Sequence, residues 1–199
     1  TPGVALLTHV VTPVWAEGAE PVREGSTVGA QRIQLESGFV HLQFYNGVKI
    51  VLEGKTDFEI LSSNKAFCSL GKFRASVPPH ARDFVVQTPA GEFVDFGTED
   101  GLEVSSDGSS EIHVFEGEVV FRDKASRATT QLIPGEATKI EREGPPVELF
   151  ANPGHFASHV DLLQFHAFDR ERQFQRWYLH STNLRRDDER VLAYYCLLY

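Results

Sequence analysis

The sequence predicts a mainly β fold, an antiparallel two-sheet sandwich or roll of many short strands with one C-terminal amphipathic α-helix. Between residues 84 and 120 the apolar side chains mostly fall at every second position, which is typical of strands with one buried face. Glycine or proline interrupts these runs about every eight to twelve residues, as expected of turns between antiparallel strands. Beyond residue 156 the apolar spacing becomes mostly three, four or seven, the period of a helix that buries one face.

Composition and charge limit the functions that this chain can have. It has 199 residues, of which 41% are hydrophobic and 15 are Phe, so it can form a substantial core. Acidic residues (28) outnumber basic ones (19), and the net charge of −9 argues against a nucleic-acid partner. No window reaches the roughly 18 consecutive apolar residues of a membrane-spanning helix. The start, Thr1-Pro2-Gly3, resembles neither a signal peptide nor an initiator sequence, and we expect it to be a cut end.

The first half of the chain is predicted to form one long strand and then shorter strands joined by turns. The predicted strands are residues 4–15, 33–35, 39–44, 48–52, 58–61 and 66–77, the last divided by a hinge at Gly71. Turns are expected at Ser37-Gly38 and Glu53-Gly54. At Asn46-Gly47 the sequence predicts a two-residue hairpin of type I′, because both central positions of this turn need positive φ.

Residues 84–120 are predicted to contain four or five short strands that follow one another as a meander. Turns are expected at residues 88–91, 95–98, 105–108 and 116–117, each of which contains a glycine. Two further strands, residues 129–133 and 137–140, flank Pro134-Gly135-Glu136 as the last hairpin. The absence of any helical pattern between these strands favours an antiparallel arrangement over a parallel α/β sheet.

After the β region the composition changes abruptly. Residues 141–146, Glu-Arg-Glu-Gly-Pro-Pro, are expected to be a charged linker. A helix is predicted from about His159 to Thr182, with Ser158 as its N-cap and Asp161 three positions on, as in a capping box. Its charged face is interpreted as solvated. The apolar face is expected to comprise Phe156, Val160, Leu163, Ala167, Phe168, Phe174, Trp177 and Tyr178.

Four short motifs occur in a characteristic order and spacing. They are Thr88-Pro89-x-Gly91, Gly97-Thr98-Glu99, the run Val-Phe-Glu-Gly-Glu-Val at residues 114–119, and Pro134-Gly135-Glu136. Together they resemble the FecR family of periplasmic sensor-regulators, over roughly residues 4–142. The family usually has an aromatic residue after its Gly-Thr-Glu motif, where this chain has Asp100.

The resemblance implies four segments. We expect a FecR-like all-β domain at residues 1–142, a linker at 143–157, the amphipathic helix at 158–183 and a tail at 184–199. The tail, almost wholly apolar from Val191 onward, resembles the junction at which some FecR-type proteins continue into a laminin-G, concanavalin A-like sandwich. The alternative is that the tail folds back as an edge strand or docks against the helix. The resemblance also implies a membrane helix and a short cytoplasmic segment upstream.

The resemblance implies a non-catalytic, extracytoplasmic domain of an inner-membrane-anchored, periplasmic sensor. Such a domain binds a partner protein, typically the signalling domain of a TonB-dependent receptor in iron-transport regulation, and relays a cell-surface signal to a sigma factor. This role requires a rigid β scaffold with an accessible loop or sheet edge, to which a partner can add a strand. From turn position alone, the predicted partner-binding residues are Gly97, Thr98, Glu99, Asp100 and Asp107.

A second function class is a cell-surface module that binds glycans or other ligands. Its candidate side chains are Trp15, Tyr45, Trp177 and Tyr178, because aromatic rings stack on sugars. The same residues can equally be core or helix-packing residues, and the sequence favours that interpretation.

Sequence motifs for chemistry are absent: the chain has no Gly-rich phosphate loop, no Gly-x-Ser-x-Gly elbow and no His-Glu-x-x-His. No catalytic residue, cofactor or metal is therefore predicted. His155 and His159 are interpreted as surface or packing residues rather than zinc ligands. Asp95, Glu99 and Asp100 are interpreted as solvated loop residues rather than calcium ligands.

The two cysteines lie far apart in the sequence. Cys68 falls within a predicted strand and Cys196 within the apolar tail, and the chain has no Cys-x-x-Cys pair. They are interpreted as buried free thiols, with a disulfide as the open alternative.

Overall fold

The computed structural model describes residues 2–124, 126–141 and 145–181. Within these ranges the strands are β1 (Ala5–Trp15), β2 (Thr27–Val28), β3 (Arg32–Phe44), β4 (Lys49–Ser62), β5 (Lys65–Ser76), β6 (Phe84–Gln87), β7 (Gly91–Asp95), β8 (Glu99–Val104), β9 (Ser110–Glu116), β10 (Val119–Asp123), β11 (Thr129–Leu132), β12 (Glu136–Ile140) and β13 (Val147–Phe150). The helix α1 spans His159–Ser181, and short 3-10 turns span Pro79–Ala81 and Pro153–His155.

The strands form one large sheet that forks at β5. From one edge of β5 the sheet continues in antiparallel order through β4, β3, β1 and β2. Along its other edge, the first residues of β5 pair in parallel with β6, which leads through β7 and β10 to β11. The second half of β5 pairs with β8, which leads through β9 and β12 to β13. We call these two sets of four strands the β6 branch and the β8 branch.

The two branches bury their apolar faces against each other. Phe84, Phe93 and Phe121 of the β6 branch and Leu102 of the β8 branch belong to one buried cluster. The rings of Phe93 and Phe121 lie with their centroids 4.8 Å apart. The cluster continues into β1, β3 and β4, so one core underlies both parts of the sheet. Removal of this apolar surface from water is the main favourable contribution to folding.

The predicted fold class is confirmed, since the chain is mainly antiparallel β with one C-terminal helix. The expectation of short strands is wrong for β3, β4 and β5, which have 13, 14 and 12 residues. Ser37-Gly38 and Glu53-Gly54, which were expected to form turns, lie within β3 and β4 at irregularities of the register. Neighbouring strands on both sides supply hydrogen bonds before and after each irregularity, so glycine bends the strand without ending it.

The predicted meander of residues 84–120 is wrong at two steps, since neither β7 and β8 nor β9 and β10 pair with each other. β6 pairs with β7, and β8 pairs with β9, but β7 and β8 do not pair. β7 pairs instead with β10, and residues 96–98 carry the chain from the β6 branch to the β8 branch. Apolar residues alternate in the same way whether β7 pairs with β8 or with β10, because alternation shows only that one face of each strand is buried.

The hairpin predicted at Asn46-Gly47 joins β3 to β4, but it is not of type I′. Only Gly47 of the two central residues has a positive φ, of 93°. Asn46 contributes through its side chain instead: its Oδ1 accepts a hydrogen bond from the Val48 N–H at 3.2 Å. Its Nδ2 donates to the Ser63 carbonyl oxygen at 2.8 Å. The side-chain hydrogen bonds of Asn46 therefore stabilise this turn.

Gly71 was expected to be a hinge between two strands, yet β5 is continuous across it. Its φ is +112°, a conformation that is strained for any other residue. A Cβ atom at this position would lie 2.6 Å from the Thr56 Cα atom of β4. Glycine is therefore required here both for the backbone conformation and for the close approach of β4 and β5.

The predicted start of α1 and its capping box are confirmed. The Ser158 hydroxyl donates to Asp161 Oδ2 at 2.6 Å and accepts a hydrogen bond from the Asp161 N–H at 3.1 Å. The Asp161 carboxylate also accepts a hydrogen bond from the Ser158 N–H at 2.8 Å. These bonds satisfy amide groups that have no partner within the helix. In the described ranges no helix combines the length and hydrophobicity that crossing a membrane requires.

The predicted apolar face of α1 is wrong. Leu162, which was not assigned to that face, is fully buried and packs against Val11 and Val51. Val160 and Phe168, which were assigned to it, are 61% and 66% exposed. Spacing alone does not decide which apolar stripe of a helix is buried, because this depends on the small patch of sheet that the helix contacts.

Residues 143–157, which were predicted to be a linker, contain β13. This strand pairs along β12 from Glu136 opposite Phe150 to Lys139 opposite Val147. All four residues of β13 are exposed to solvent. The segment between the β region and α1 therefore extends the β8 branch by one strand.

We expect Gly71→Ala to lower the free energy of unfolding by about 2–4 kcal/mol, because the added methyl group overlaps β4 and the positive φ is strained. Gly135→Ala is the matched control: Gly135 has a φ of +90°, but no heavy atom lies within 4 Å of the position that its added methyl group would occupy. We expect Gly135→Ala to lower the free energy of unfolding by about 1 kcal/mol. Urea unfolding of both variants measures the difference, and equal losses would show that contact with β4 is unimportant.

Candidate functional site

Four of the predicted partner-binding residues lie together in one corner of the molecule: Gly97, Thr98, Glu99 and Asp100. Residues 95–100 carry the chain from β7 to β8, and we call them the crossover corner. The N–H of Val77 donates to the Thr98 carbonyl oxygen at 2.8 Å, and the N–H of Phe96 donates to the Glu118 carbonyl oxygen at 3.1 Å. The corner is therefore fixed by neighbouring backbone on two sides.

Inside the corner, Asp95 of β7 and Asp100 of β8 share a hydrogen bond between their carboxyl groups. Each residue is only 6% exposed, so the interpretation of these two as solvated loop residues is wrong. Burial raises the pKa of Asp100 well above its usual range, and the adjacent Asp95 raises it further. Burial also raises the pKa of Asp95, although hydrogen bonds, including one from the Gly97 N–H, oppose this. The pair therefore retains a proton and links the two branches.

The Gly-Thr-Glu and Glu-Gly-Glu motifs are in direct contact at this corner. A Cβ atom on Gly117 would lie 2.9 Å from the Thr98 Cα atom and would overlap the Gly97 carbonyl oxygen. Gly117 also has a positive φ of 79°. Only glycine allows the turn before β10 to approach the crossover corner this closely. The second motif therefore has a structural role.

The Thr-Pro-x-Gly motif forms another link between the branches. Thr88 Oγ1 accepts hydrogen bonds from the N–H groups of Ala90 at 3.2 Å and Gly91 at 3.3 Å, which close the turn between β6 and β7. The hydroxyl of Ser110, at the start of β9, donates to the same oxygen at 3.1 Å. This buried hydroxyl pair joins a turn of the β6 branch to a strand of the β8 branch.

Glu99 is the partly exposed charged residue of the corner, and its side chain is 35% exposed. Its carboxylate accepts a hydrogen bond from Arg74 Nε at 2.8 Å. The Arg74 guanidinium also lies 4.7 Å from the centroid of the Phe115 ring. It donates to the carbonyl oxygens of Pro153 and Phe156 at 3.4 and 3.5 Å. Arg74 therefore connects the crossover corner to the segment that precedes α1.

This segment, residues 152–156, packs on the β8 branch. Phe156 is 2% exposed, and its ring covers Gly101, where a Cβ atom would lie 2.5 Å from the ring. His155 Nε2 is 2.7 Å from Glu103 Oε2, also on β8. The part of the predicted linker nearest α1 therefore covers one face of the strand that begins in the crossover corner.

Asp107, the fifth predicted residue, lies at the other end of the β8–β9 hairpin, roughly 20 Å along the strand from Glu99. Its carboxylate accepts hydrogen bonds from the Ser109 N–H at 2.8 Å and from the Ser109 hydroxyl at 2.7 Å. These bonds lower the pKa of Asp107, which is exposed. Thr98 and Asp100 are buried. The structure therefore does not bring the five predicted residues into a single exposed patch.

The sequence interpretation missed an exposed edge of the sheet. Among the described residues β13 pairs only with β12, so its outer edge is unpaired. Val147, Leu149 and Phe150 are 47%, 39% and 93% exposed. Between β13 and β11 lies an open cleft of about 640 Å³, lined by both strands and by the turn that leads from β11 to β12. The alternation Val147-Glu148-Leu149 was the available signal, but it lies in the segment that was predicted to be a linker.

The aromatic residues of the second function class are dispersed. Trp15 ends β1, whereas the Tyr45 N–H bonds the carbonyl oxygen of Val4 at the opposite end of that strand. Trp177 and Tyr178 lie near the end of α1. Trp15 and Tyr45 therefore do not form a shared stacking platform, and nothing in their placement favours a glycan site.

The candidate metal and thiol residues are also separated. His155 contacts β8, whereas His159 contacts a ring on β3, so the two histidines do not share a face. Across the part of the chain that the structure describes, no group of three or more His, Cys, Asp or Glu residues is arranged to hold a metal ion. Burial raises the pKa of the Cys68 thiol to about 12. Cys196 lies outside the described residues.

Comparisons with known proteins agree with this architecture. The family described as FecR protein matches residues 30–120. Two crystal structures of a candidate anti-sigma factor from Parabacteroides distasonis are similar to this chain, with TM-scores of 0.53 and 0.52 and 16% sequence identity. At this identity the similarity shows the fold alone. It covers 61% of this chain and 60% of each of those chains. No curated protein matches the chain.

The family match covers the part of the fold that contains the fork. Residues 30–120 include β3 to β9, the crossover corner and the turn at Gly117. Strands β11 to β13 and α1 lie outside the matched range. The exposed edge at β13 is therefore a feature of this chain beyond the matched region.

We expect Asp100→Asn to remove a loss of stability that the wild-type chain undergoes between about pH 5 and pH 8. The raised pKa of Asp100 means that this pair binds more protons in the folded state than in the unfolded state above pH ~4, so its contribution to stability falls as the pH rises. One such proton contributes up to about 1.4 kcal/mol per pH unit. Asparagine carries no proton to lose, so the change in the free energy of unfolding from about pH 5 to about pH 8, measured in urea, should be more favourable in the variant than in wild type.

Asp107→Asn is the matched control for this experiment. Asp107 is exposed and its pKa is lowered, so its carboxyl is ionised in both states throughout this pH range. The control should retain the wild-type pH dependence. Identical pH dependence in wild type and both variants would contradict the assignment of a retained proton to the Asp95–Asp100 pair.

Proposed function

The chain belongs to the FecR family through residues 30–120, and from this premise we propose that it is a non-catalytic, extracytoplasmic signalling domain that binds a partner protein. Family membership supports a signalling, regulatory role. We further propose that the domain receives a cell-surface signal from its partner and relays it to a sigma factor. The similarity in fold to a candidate anti-sigma factor is consistent with such a pathway.

The observation that carries the binding proposal is that the outer edge of β13 is unpaired among the described residues. In soluble proteins, exposed strand edges are normally covered or blocked, because their free N–H and C=O groups pair readily with another strand. Here the edge is combined with exposed apolar side chains on both faces of the strand: Val147 and Leu149 on one, Phe150 on the other. The adjacent cleft of about 640 Å³ leaves room for an added segment. We therefore place strand addition by the partner at β13.

The pairing of β13 with β12 determines which amide groups a partner can reach. The N–H of Ala151 donates to the carbonyl oxygen of Gly135 at 2.9 Å. In an antiparallel ladder, hydrogen-bonded pairs recur at every second residue, so Leu149 and Val147 also direct their N–H groups towards β12. The N–H of Glu148 must then point away from β12, into the free edge. The N–H of Phe150 points into this edge as well, so Glu148 and Phe150 are the residues at which an added strand would be anchored.

The predicted loop residues have two roles in this proposal. Asp107 lies near Lys139, which is opposite Val147 in the β12–β13 pair, so the Asp107 turn is at one end of the proposed edge. There its exposed charge can contact the partner directly. Gly97 and Glu99 offer a second, partly exposed contact at the crossover corner. Thr98 and Asp100 support that corner from inside.

The partner that we propose is the signalling domain of a TonB-dependent outer-membrane receptor, in a pathway that regulates iron transport. The domain would then be periplasmic and belong to an inner-membrane-anchored protein, with the membrane segment outside this sequence. We further propose the segment scheme of a FecR-like domain at residues 1–142, a linker segment at 143–157 that carries β13, the helix at 158–183 and a tail at 184–199.

Glu148→Pro tests strand addition directly. Proline removes one of the two N–H groups of β13 that point into the free edge but leaves the hydrogen bonds between β12 and β13 in place. We expect at least a roughly tenfold loss of affinity for the receptor signalling domain, measured by calorimetry. Glu148→Ala is the matched control, because it removes the same side chain and keeps the N–H. It should bind within about twofold of wild type.

Two results would contradict the proposal. If a panel of purified receptor signalling domains shows no binding to the wild-type chain, the proposed partner class is wrong. If wild type binds and Glu148→Pro binds equally well, the partner does not add a strand at β13. Urea unfolding of the proline variant, expected to match that of Glu148→Ala closely, verifies that the sheet itself is intact.

A further inference from the structure

Four histidine rings meet where α1 lies on the sheet. His9 of β1 and His41 of β3 are opposite each other in the strand register. His159, the first residue of α1, lies 4.3 Å from the His41 ring and 6.1 Å from the His9 ring, between centroids. His166, two turns further along α1, lies 5.1 Å from the His9 ring. We call these four residues the histidine cluster.

The cluster includes ring nitrogens that are buried and have no hydrogen-bond partner. His41 is 1% exposed, and its Nδ1 bonds the Thr8 hydroxyl, but its Nε2 has no partner among the described residues. His159 Nδ1 is likewise buried and without a partner in the described part of the chain. A neutral imidazole tolerates one unprotonated nitrogen without a donor, whereas an imidazolium needs an acceptor for each N–H. The site therefore accommodates neutral rings and disfavours charged ones.

The charges that face the cluster reinforce this preference. The positive charge of Lys49, on β4, disfavours protonation of His41 and His159, and so does the neighbouring His9 ring. The carboxylate of Glu24, from the segment between β1 and β2, lies 3.2 Å from His166 Nε2. Within the described residues, no acidic group compensates a charge on His41 or His159. Burial lowers the pKa of His41 to about 3, and burial also lowers the pKa of His159.

Few other contacts hold α1 against the sheet. Leu162 packs on Val11 and Val51, and the ring of Phe165 lies 5.3 Å from that of Phe39. Most of the remaining large apolar side chains described on α1 are substantially exposed. The free energy that holds the helix in place is therefore small enough for a few protonation events to outweigh it.

We propose that the histidine cluster is a pH-dependent latch that holds α1 on β1 and β3 while its rings are neutral and releases the helix on acidification. Release exposes His41 to water and frees Leu162 from its apolar contacts. The direction follows from linkage: rings that are harder to protonate when docked stabilise the docked state above pH ~6.5, and this stabilisation is lost as the pH falls below it. The latch regulates the position of α1 and does not depend on the partner proposed for β13.

Hydrogen exchange of the α1 amides in the full chain tests the latch. If His41 alone titrates on release, lowering the pH from about 7 to about 5 should reduce the protection of α1 roughly 25-fold, after correction for intrinsic exchange rates. His41→Phe keeps a ring of similar size that cannot be protonated, and should reduce this effect to a few-fold. His80→Phe, at an exposed histidine outside the cluster, should behave as wild type.

If His41→Phe fails to fold, the latch can still be tested by following the wild-type chain by NMR as the pH is lowered from about 7 to about 5. We expect the His41 ring signals and the Leu162 methyl signals to change together, in one step, as the helix leaves the sheet. The proposal is overturned if α1 protection is equal at both pH values, or if His41 titrates near pH 6.5 while the Leu162 signals stay unchanged. Neither measurement involves a partner, so failure of the latch and failure of strand addition at β13 are distinguished.

Discussion

The constraint on which the structure depends is that two branches of one sheet leave the same strand, β5, and must bury their apolar faces against each other. The chain builds both branches by crossing between them, first at residues 95–100 and again after β9 and after β11. The first crossing is crowded: Gly117 touches the loop at Thr98, and two carboxyl groups meet inside it. The Ser110–Thr88 hydrogen bond joins the branches at a second point. Motifs that resemble those of the FecR family are therefore largely the residues that allow this crossing.

This use of the motifs limits where a partner can bind. Residues that hold the branches together are buried or paired, and Glu99 is already engaged by Arg74. The segment at residues 152–156 covers part of β8. Among the described residues the outer edge of β13 is unpaired, and there apolar side chains face water. In the proposed role, the domain combines a rigid interior with an unpaired strand edge.

Two buried sets of ionisable groups respond to pH in opposite directions. The Asp95–Asp100 pair retains a proton because burial and mutual repulsion disfavour a second negative charge. Within the histidine cluster, burial and neighbouring positive charge lower the pKa values of His41 and His159 and so favour their neutral forms. A rising pH therefore opposes the packing of the branches, whereas a falling pH opposes the docking of α1. The domain is expected to be most completely assembled between these limits, although each set acts on a different part of the fold.

The sequence by itself determined the fold class, the capping box at Ser158 and the turn at Gly47, because alternation, caps and hairpin signals depend on a few neighbouring residues. It also pointed to the corner at residues 97–100 through its motifs. Only the tertiary structure decided that Ser37-Gly38 lies within a strand, that β7 and β8 separate, and that Leu162 is the buried residue of α1. These outcomes depend on which surfaces meet across the fold, and residues distant in sequence, such as Gly117 and Thr98 or His9 and His159, carry no local signal of their contact.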